Sequence, residues 1–227
     1  MKIHGLQKCS LLDFPGHTAA TVFLGGCDMR CPYCHNAEIW DASLPALLEE
    51  EELYQFLEER RGFLEGVCFT GGEPLLRRDL PDVIRRVRSM GYLIKVDTNG
   101  LHPDILQQFL DEHFVDRIAM DIKNEPDRYA ETVGVPVDLS RIRRSVSLLL
   151  ANPSLAEFRT TVTNAFHDCH SFMVIADWLA GAPFFALQPF KVTEFVPDQT
   201  LGTPAKEALE AYAAILRQTI THVEIRG

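Results

Sequence analysis

The chain has 227 residues, 46% hydrophobic and 24% charged, enough for one globular domain with a substantial core. A net charge of −10 speaks against nucleic-acid partners, because binding a polyanion depends on basic side chains that neutralise phosphate. Six cysteines are few for this length, the N-terminal MKIHGLQKCSLLDFPG has no signal-peptide core, and no run approaches the roughly 20 apolar residues of a membrane span, so a reducing, cytoplasmic compartment and no membrane partner are expected.

Along the chain a short β-rich run is followed repeatedly by a helical one. HTAATVFLGG (17–26) reads as a strand entering a cysteine loop, and LLEEEELYQFLEERRG (47–62) as a helix with a glycine stop. GVCFTGG (66–72) and RRDLPDVIRRVRSMG (77–91) form the next pair, and YLIKVDTNG (92–100) and HPDILQQFLDEH (102–113) another. The basic residues of 77–88 read as a solvated helix face rather than a binding patch. VDRIAMDIK (115–123) precedes DLSRIRRSVSLLLAN (138–152), with Asp138 or Ser140 placed to cap it. AEFRTTVTN (156–164) pairs with CHSFMVIADWLAG (169–181), and PFFALQPF (183–190) with TPAKEALEAYAAILRQT (203–219). HVEIRG (222–227) is placed to add a small closing strand.

About six strand–helix units follow from this pattern, fewer than the eight of a full (β/α) barrel, so an open doubly wound sheet and a barrel both remain. Mostly apolar strands such as VCFT and LIKV suit parallel pairing under helices. The polar and glycine-rich positions fall just after strands: the cysteine loop, TGGEP, DTNG, DIK and QPFK. Strand C-termini of parallel α/β folds share one rim, where sites are built.

The loop GGCDMRCPYCHN places Cys27, Cys31 and Cys34 within eight positions. Thiolates suit iron–sulfur clusters, zinc and copper(I). A zinc site with His35 or Cys9 as fourth ligand, and a disulfide with a spare thiol, are the alternatives. A cubane cluster usually takes four thiolates, so three leave one iron open to a small molecule. His167 and His170 in HDCH read as the polar start of a helix, with Asp168 favourable at its dipole, and Cys68 as a core thiol.

CDMRCPYCHN, with its C-x3-C-x2-C spacing, together with GGEP, resembles the motifs of the radical S-adenosylmethionine (SAM) superfamily. LLDFPGHTAATVFLGGC with CPYCHN resembles the activating enzymes of glycyl-radical enzymes, most closely those of anaerobic ribonucleoside-triphosphate reductase, over Lys8 to Val196. The resemblance implies an α/β fold, a partial (β/α)6 TIM-like barrel of parallel strands with outer helices. Residues 1–227 would form a single radical SAM domain with a core at about 17–196 and a C-terminal helix and strand within 204–226.

The resemblance also implies roles. Cys27, Cys31 and Cys34 hold a [4Fe–4S] cluster whose open iron chelates SAM, and reductive cleavage yields a 5′-deoxyadenosyl radical that takes hydrogen from a glycine of a partner enzyme. Tyr33 lies against the adenine or packs the loop. Gly71 and Gly72 admit the SAM amino group, with Glu73 pairing to it or bracing the turn. Asp97 and Asp121 bind a monovalent cation beside SAM, and Asp121 and Lys123, two apart on a strand and so on one face, contact SAM. Arg159, inside an apolar strand, needs a carboxylate from SAM or a neighbouring acid. Lys191 stands where related pyruvate formate-lyase activators carry a histidine. The implied partners are a glycyl-radical enzyme, with pyruvate formate-lyase-like enzymes second, and a flavodoxin or ferredoxin as electron donor. A radical SAM enzyme acting on a small molecule or peptide, and a zinc-binding structural module, are the rival readings.

Overall fold

A computed structural model describes residues 1–226, and Gly227, the last residue of the expected closing strand, lies outside them. The chain divides into two compact units. The first comprises Met1–Asp28, Glu38–Thr98 and Asp104–Ile118; the second comprises Met29–Ala37, Asn99–Pro103 and the chain from residue 119 on.

The first unit carries β1 (Lys2–Ile3), β2 (Gly5–Ser10), β3 (Ala19–Leu24), β4 (Leu48–Glu49), α1 (Glu50–Glu59), β5 (Gly66–Gly71), α2 (Leu80–Ser89), β6 (Leu93–Thr98) and most of α3 (Pro103–Glu112). Its sheet runs β6-β5-β3-β2, with β3, β5 and β6 parallel and β2 an antiparallel edge. Ala19, Ala20, Val22 and Leu24 on β3 and Val67, Cys68 and Phe69 on β5 are all fully buried, as parallel strands covered on both faces require. The expected helix from Leu47 begins only at Glu50, because Leu48 and Glu49 pair with Ile3 and Lys2. Glu52 accepts the Glu49 N–H at 2.8 Å, half of a capping box that starts the helix there. The β2 edge escaped the sequence reading because its exposed positions show no apolar alternation. The basic residues of α2 are a solvated face: Arg85 meets Glu112 at 2.8 Å, Arg86 meets Glu51 at 3.0 Å and Arg88 meets Asp116 at 2.7 Å.

The second unit holds the end of β7 (Arg117–Asp121), then α4 (Tyr129–Val133), α5 (Leu139–Leu150), β8 (Ala156–Val162), α6 (Cys169–Trp178), β9 (Phe184–Pro189), α7 (Lys206–Leu216) and β10 (His222–Ile225). The strand order is β7-β8-β9-β10, and β8, β9 and β10 pair parallel. The expected closing strand therefore forms at 222–225. Of the two proposed caps for α5, Asp138 is the one used, accepting the Ser140 N–H at 3.0 Å. Asp168 caps α6 through the Ser171 N–H at 2.9 Å, so the HDCH segment is a helix start. The five-residue α4, not anticipated from the sequence, anchors the cysteine loop: the Arg30 N–H donates to the Val133 carbonyl at 2.9 Å.

His167 lies beneath this segment, 4% exposed. Its Nδ1 accepts the Thr163 N–H at 3.2 Å and its Nε2–H donates to the Lys123 carbonyl at 2.9 Å, which fixes a neutral imidazole. Burial pushes its pKa down from 6.5 to about 4. The unfolded chain therefore binds more protons between those values, and the contribution is complete above pH 6.5 and lost as pH falls to 4. Urea unfolding at pH 7.5 and pH 4.5 should show wild type losing on the order of 3 kcal/mol more than His167→Gln. Equal losses in the two proteins would remove His167 as the source.

Candidate functional site

In the first unit the stem of the cysteine loop is held by backbone. The Gly26 N–H donates to the Ile39 carbonyl at 2.9 Å and the Cys27 N–H to the Trp40 carbonyl at 3.2 Å. The TGGEP segment packs directly on this stem: Gly72 N–H donates to Leu24 O at 2.8 Å and Glu73 N–H to Gly26 O at 2.7 Å. A Cβ at Gly72 would collide with the Gly26 carbonyl, and one at Gly71, whose φ is +122°, would collide with the Leu24 backbone. The glycines are thus already required by the chain's own backbone, before any ligand approaches. Gly72→Ala must displace the loop stem, and it should cost roughly 3 kcal/mol in a denaturant titration, near the upper end for overpacking. A change under about 1 kcal/mol would show that the stem yields freely.

Glu73 is fully buried and braces the turn, accepting the Leu75 N–H at 3.0 Å and the Thr98 hydroxyl at 2.8 Å. Of its two expected roles, bracing is the one seen within this unit. Asp97, next to Thr98, ion-pairs with Lys95, a lysine only 1% exposed whose Nζ also lies 3.8 Å from the Cys68 sulfur. The sequence reading missed Lys95 by treating LIKV as apolar. Its position two before Asp97, on the same strand face, was the available signal.

In the second unit Cys31 and Tyr33 are buried, and the Cys34 N–H donates to the Cys31 carbonyl at 3.0 Å. Among the described residues no disulfide joins the six cysteines. The Asn36 N–H donates to the Cys34 sulfur at 3.4 Å. Burial pushes the Cys31 thiol up to about 11, against the pull of the Lys123 ammonium. A thiol so placed ionises readily only when a metal cation compensates its charge. The Tyr33 hydroxyl is buried without a hydrogen-bond partner, and its ring lies 5.9 Å from that of Phe166.

The same unit brings together Asp121, Lys123 and Arg159. Lys123 Nζ lies 2.9 Å from one Asp121 oxygen, and the Arg159 guanidinium ion-pairs with the other. The neighbouring acid expected for Arg159 is therefore Asp121. Burial alone would raise the Asp121 carboxyl, but Arg159 and Lys123 hold it well below the usual carboxylate range. Lys123 is also fixed through its backbone, whose N–H donates to the Tyr129 hydroxyl at 3.3 Å. Lys191 is placed differently, on an open cavity beside His35, whose Nε2–H donates to the Lys191 carbonyl at 2.7 Å.

The pattern that defines the radical SAM superfamily matches residues 21–154, more than half of the chain. The chain belongs to the radical SAM superfamily. A protein of Methanocaldococcus jannaschii named for the glycyl-radical enzyme activating enzymes is 28% identical over 99% of this chain and 95% of its own length. The pyruvate formate-lyase-activating enzyme of Clostridium pasteurianum is 33% identical over 56% of this chain and 54% of its own length. Among solved structures, Streptococcus suis SuiB bound to S-adenosylmethionine matches with a TM-score of 0.66 and 13% identity over 91% of this chain and 52% of that one. This radical SAM enzyme is thus mixed α/β, with a parallel sheet and surrounding helices, and its structural neighbours have the partial TIM-barrel fold.

The superfamily implies a [4Fe–4S] cluster and SAM. The donor set fits them: the loop offers three cysteines, one buried sulfur raised in pKa and one receiving an N–H, beside an orphaned buried hydroxyl. Among the described residues no group of three or more His, Cys, Asp or Glu is gathered closely enough to hold a metal ion. No helix among them is long and apolar enough to cross a membrane.

Proposed function

We propose that this radical SAM enzyme installs a glycyl radical on a partner enzyme, foremost an anaerobic ribonucleoside-triphosphate reductase. The observation that carries the reading is the loop of Cys27, Cys31 and Cys34, with no fourth cysteine in it, in a chain whose relative over nearly its full length is named for glycyl-radical activation. The pyruvate formate-lyase-activating relative favours a pyruvate formate-lyase-like partner as the second reading. A cluster with SAM, when bound, supplies one-electron cleavage of the sulfonium and, through it, hydrogen-atom abstraction from a glycine α-carbon.

The chain's own residues do the rest. Cys27, Cys31 and Cys34 hold the cluster, and Tyr33 offers its buried ring and hydroxyl to the nucleoside. Lys123 and Arg159 present positive charge to a carboxylate, and Asp121 holds both in place. Gly71, Gly72 and Glu73 fix the turn that faces the amino group. A monovalent cation beside SAM would be held by Asp97 and Asp121, which also pair with Lys95 and with Lys123 and Arg159. A flavodoxin or ferredoxin delivers the electron.

Anaerobically purified protein should hold about four irons and four sulfides. Reduced enzyme mixed with SAM and the reductase should give a glycyl-radical signal by electron paramagnetic resonance. SAM consumption with no protein radical on either class of partner would exclude activation and leave a small-molecule radical enzyme.

A further inference from the structure

On the outside of the second unit, α4, α5 and the end of α6 meet at Trp178. This ring is half-buried, with the Tyr129 ring edge-on to it at 6.5 Å and the Arg143 guanidinium 5.7 Å from its centroid, within cation–π range. Tyr129 is fully buried and runs inward from that contact. Its hydroxyl donates to the Asp121 carbonyl at 3.4 Å and accepts the Lys123 N–H at 3.3 Å, so it ends on the backbone of the D-x-K pair. Burial raises its pKa, and the Cys31 sulfur is among the charges it feels. The far end of α4 touches the cysteine loop itself: the Arg30 N–H meets the Val133 carbonyl, and a Cβ on Gly134 would strike the Arg30 carbonyl. One short helix thus joins this surface to the loop by two routes.

The arginines here differ from those of the other basic helix. On α2, Arg85, Arg86 and Arg88 each meet a carboxylate at 2.7–3.0 Å. On α5, Arg141 and Arg143 are exposed, and among the described residues neither is ion-paired, although the chain carries a net charge of −10. Asp138, one turn before Arg141, bonds instead to the Ser140 N–H and hydroxyl at 3.0 and 2.6 Å. A tryptophan flanked by uncompensated guanidinium groups has the composition that dominates binding energy at protein interfaces. Positive charge left open on an acidic chain attracts an acidic partner and speeds its encounter.

Two kinds of protein have to approach this enzyme, and the packing behind Trp178 separates them. A glycine that gives up a hydrogen atom must touch the radical, and the fully buried Tyr129 ring blocks that approach. An electron passes through packed side chains and needs only a short path to the cysteine loop. We infer that the surface of α5 and α6 around Trp178 docks the protein that reduces the cluster, an acidic one-electron carrier whose carboxylates are received by Arg141 and Arg143. The inference rests on the cluster of the function proposed above, and not on which enzyme receives the radical.

The probes are a reduced flavodoxin and a reduced ferredoxin, both acidic carriers, mixed with the anaerobic holoenzyme in a stopped-flow cell at low and high salt. Dithionite serves as the small reductant that needs no docking face. With at least one carrier, Arg141→Glu combined with Arg143→Glu should slow cluster reduction about tenfold at low salt and flatten its salt dependence. Iron content and dithionite-driven SAM cleavage should not change. Arg85→Glu combined with Arg86→Glu on α2 alters the net charge equally and should slow reduction by no more than about twofold, because salt screens charge away from the contact. Unchanged reduction by both carriers in the α5 variant overturns the inference. An equal loss in the α2 variant also overturns it, since net charge alone would then be acting. So does an α5 variant that is reduced normally but no longer binds the glycyl-radical partner, which would give the face to the substrate enzyme. Cluster reduction needs no protein radical. A failed glycyl-radical assay beside the tenfold loss would therefore overturn the activating function and leave the docking face standing.

Discussion

Cys31→Ala removes iron binding and SAM cleavage together while the protein stays folded. The loop's shape comes from backbone contacts that the substitution leaves alone: Arg30 N–H to Val133 O, Cys34 N–H to Cys31 O and Asp198 N–H to Pro32 O, at 2.9, 3.0 and 3.0 Å. Losing one buried sulfur costs about 1–2 kcal/mol, a small part of a domain's stability. Iron should fall from about four per chain to near zero, because two cysteines cannot hold a cubane. SAM cleavage should fall to the uncatalysed background. Circular dichroism separates this outcome from unfolding. A folded Cys31→Ala protein that retains its iron and cleaves SAM would show that Cys31 is not a ligand, and the proposed function would lose its foundation.

Asp121→Ala acts on stability and on SAM affinity at once. Removing the carboxylate leaves the Arg159 guanidinium and the Lys123 ammonium side by side, both only 15% exposed at the side chain, with their shared counter-charge gone. Breaking such a pair costs about 3 kcal/mol, the low end for buried pairs because the site is partly open. The lost counter-charge between two cations is the source of the cost, so Asp121→Ala with Arg159→Met should be more stable than Asp121→Ala alone. SAM affinity should drop further than iron content, since the carboxylate orients the two cations and touches no cysteine. If the double variant is instead the less stable, Asp121 and Arg159 do not act as a pair. Unchanged SAM affinity would remove Asp121 from the cofactor site.

Several elements were legible because their local physics is sufficient. The apolar run VCFT of β5 reads as a covered parallel strand, and Val67, Cys68 and Phe69 are fully buried. Asp138 read as one of two possible caps and Asp168 as favourable at a helix dipole, and they accept the N–H groups of Ser140 and Ser171. Other elements depend on partners remote in sequence. Leu48 and Glu49 look helical until Lys2 and Ile3 pair with them. The helix α4 spans five residues and carries too little periodicity to be seen. Gly72 was read as leaving room for a ligand, and the atom that a Cβ there would meet belongs to Gly26.

The cysteine spacing, the GGEP turn and the D-x-K pair were fixed by the order of residues alone, because each is a short-range arrangement that the backbone carries wherever it goes. Their chemistry could be named from the one-dimensional text. Which cation neutralises which carboxylate was decided only in three dimensions: Lys95 for Asp97, Arg159 with Lys123 for Asp121, and Glu157 for Arg226, leaving Lys191 without one among the described residues. Coulomb energy depends on distance and burial, and for Arg159 and Arg226 those were set by strand register across 38 and 69 residues of chain, which no local pattern records.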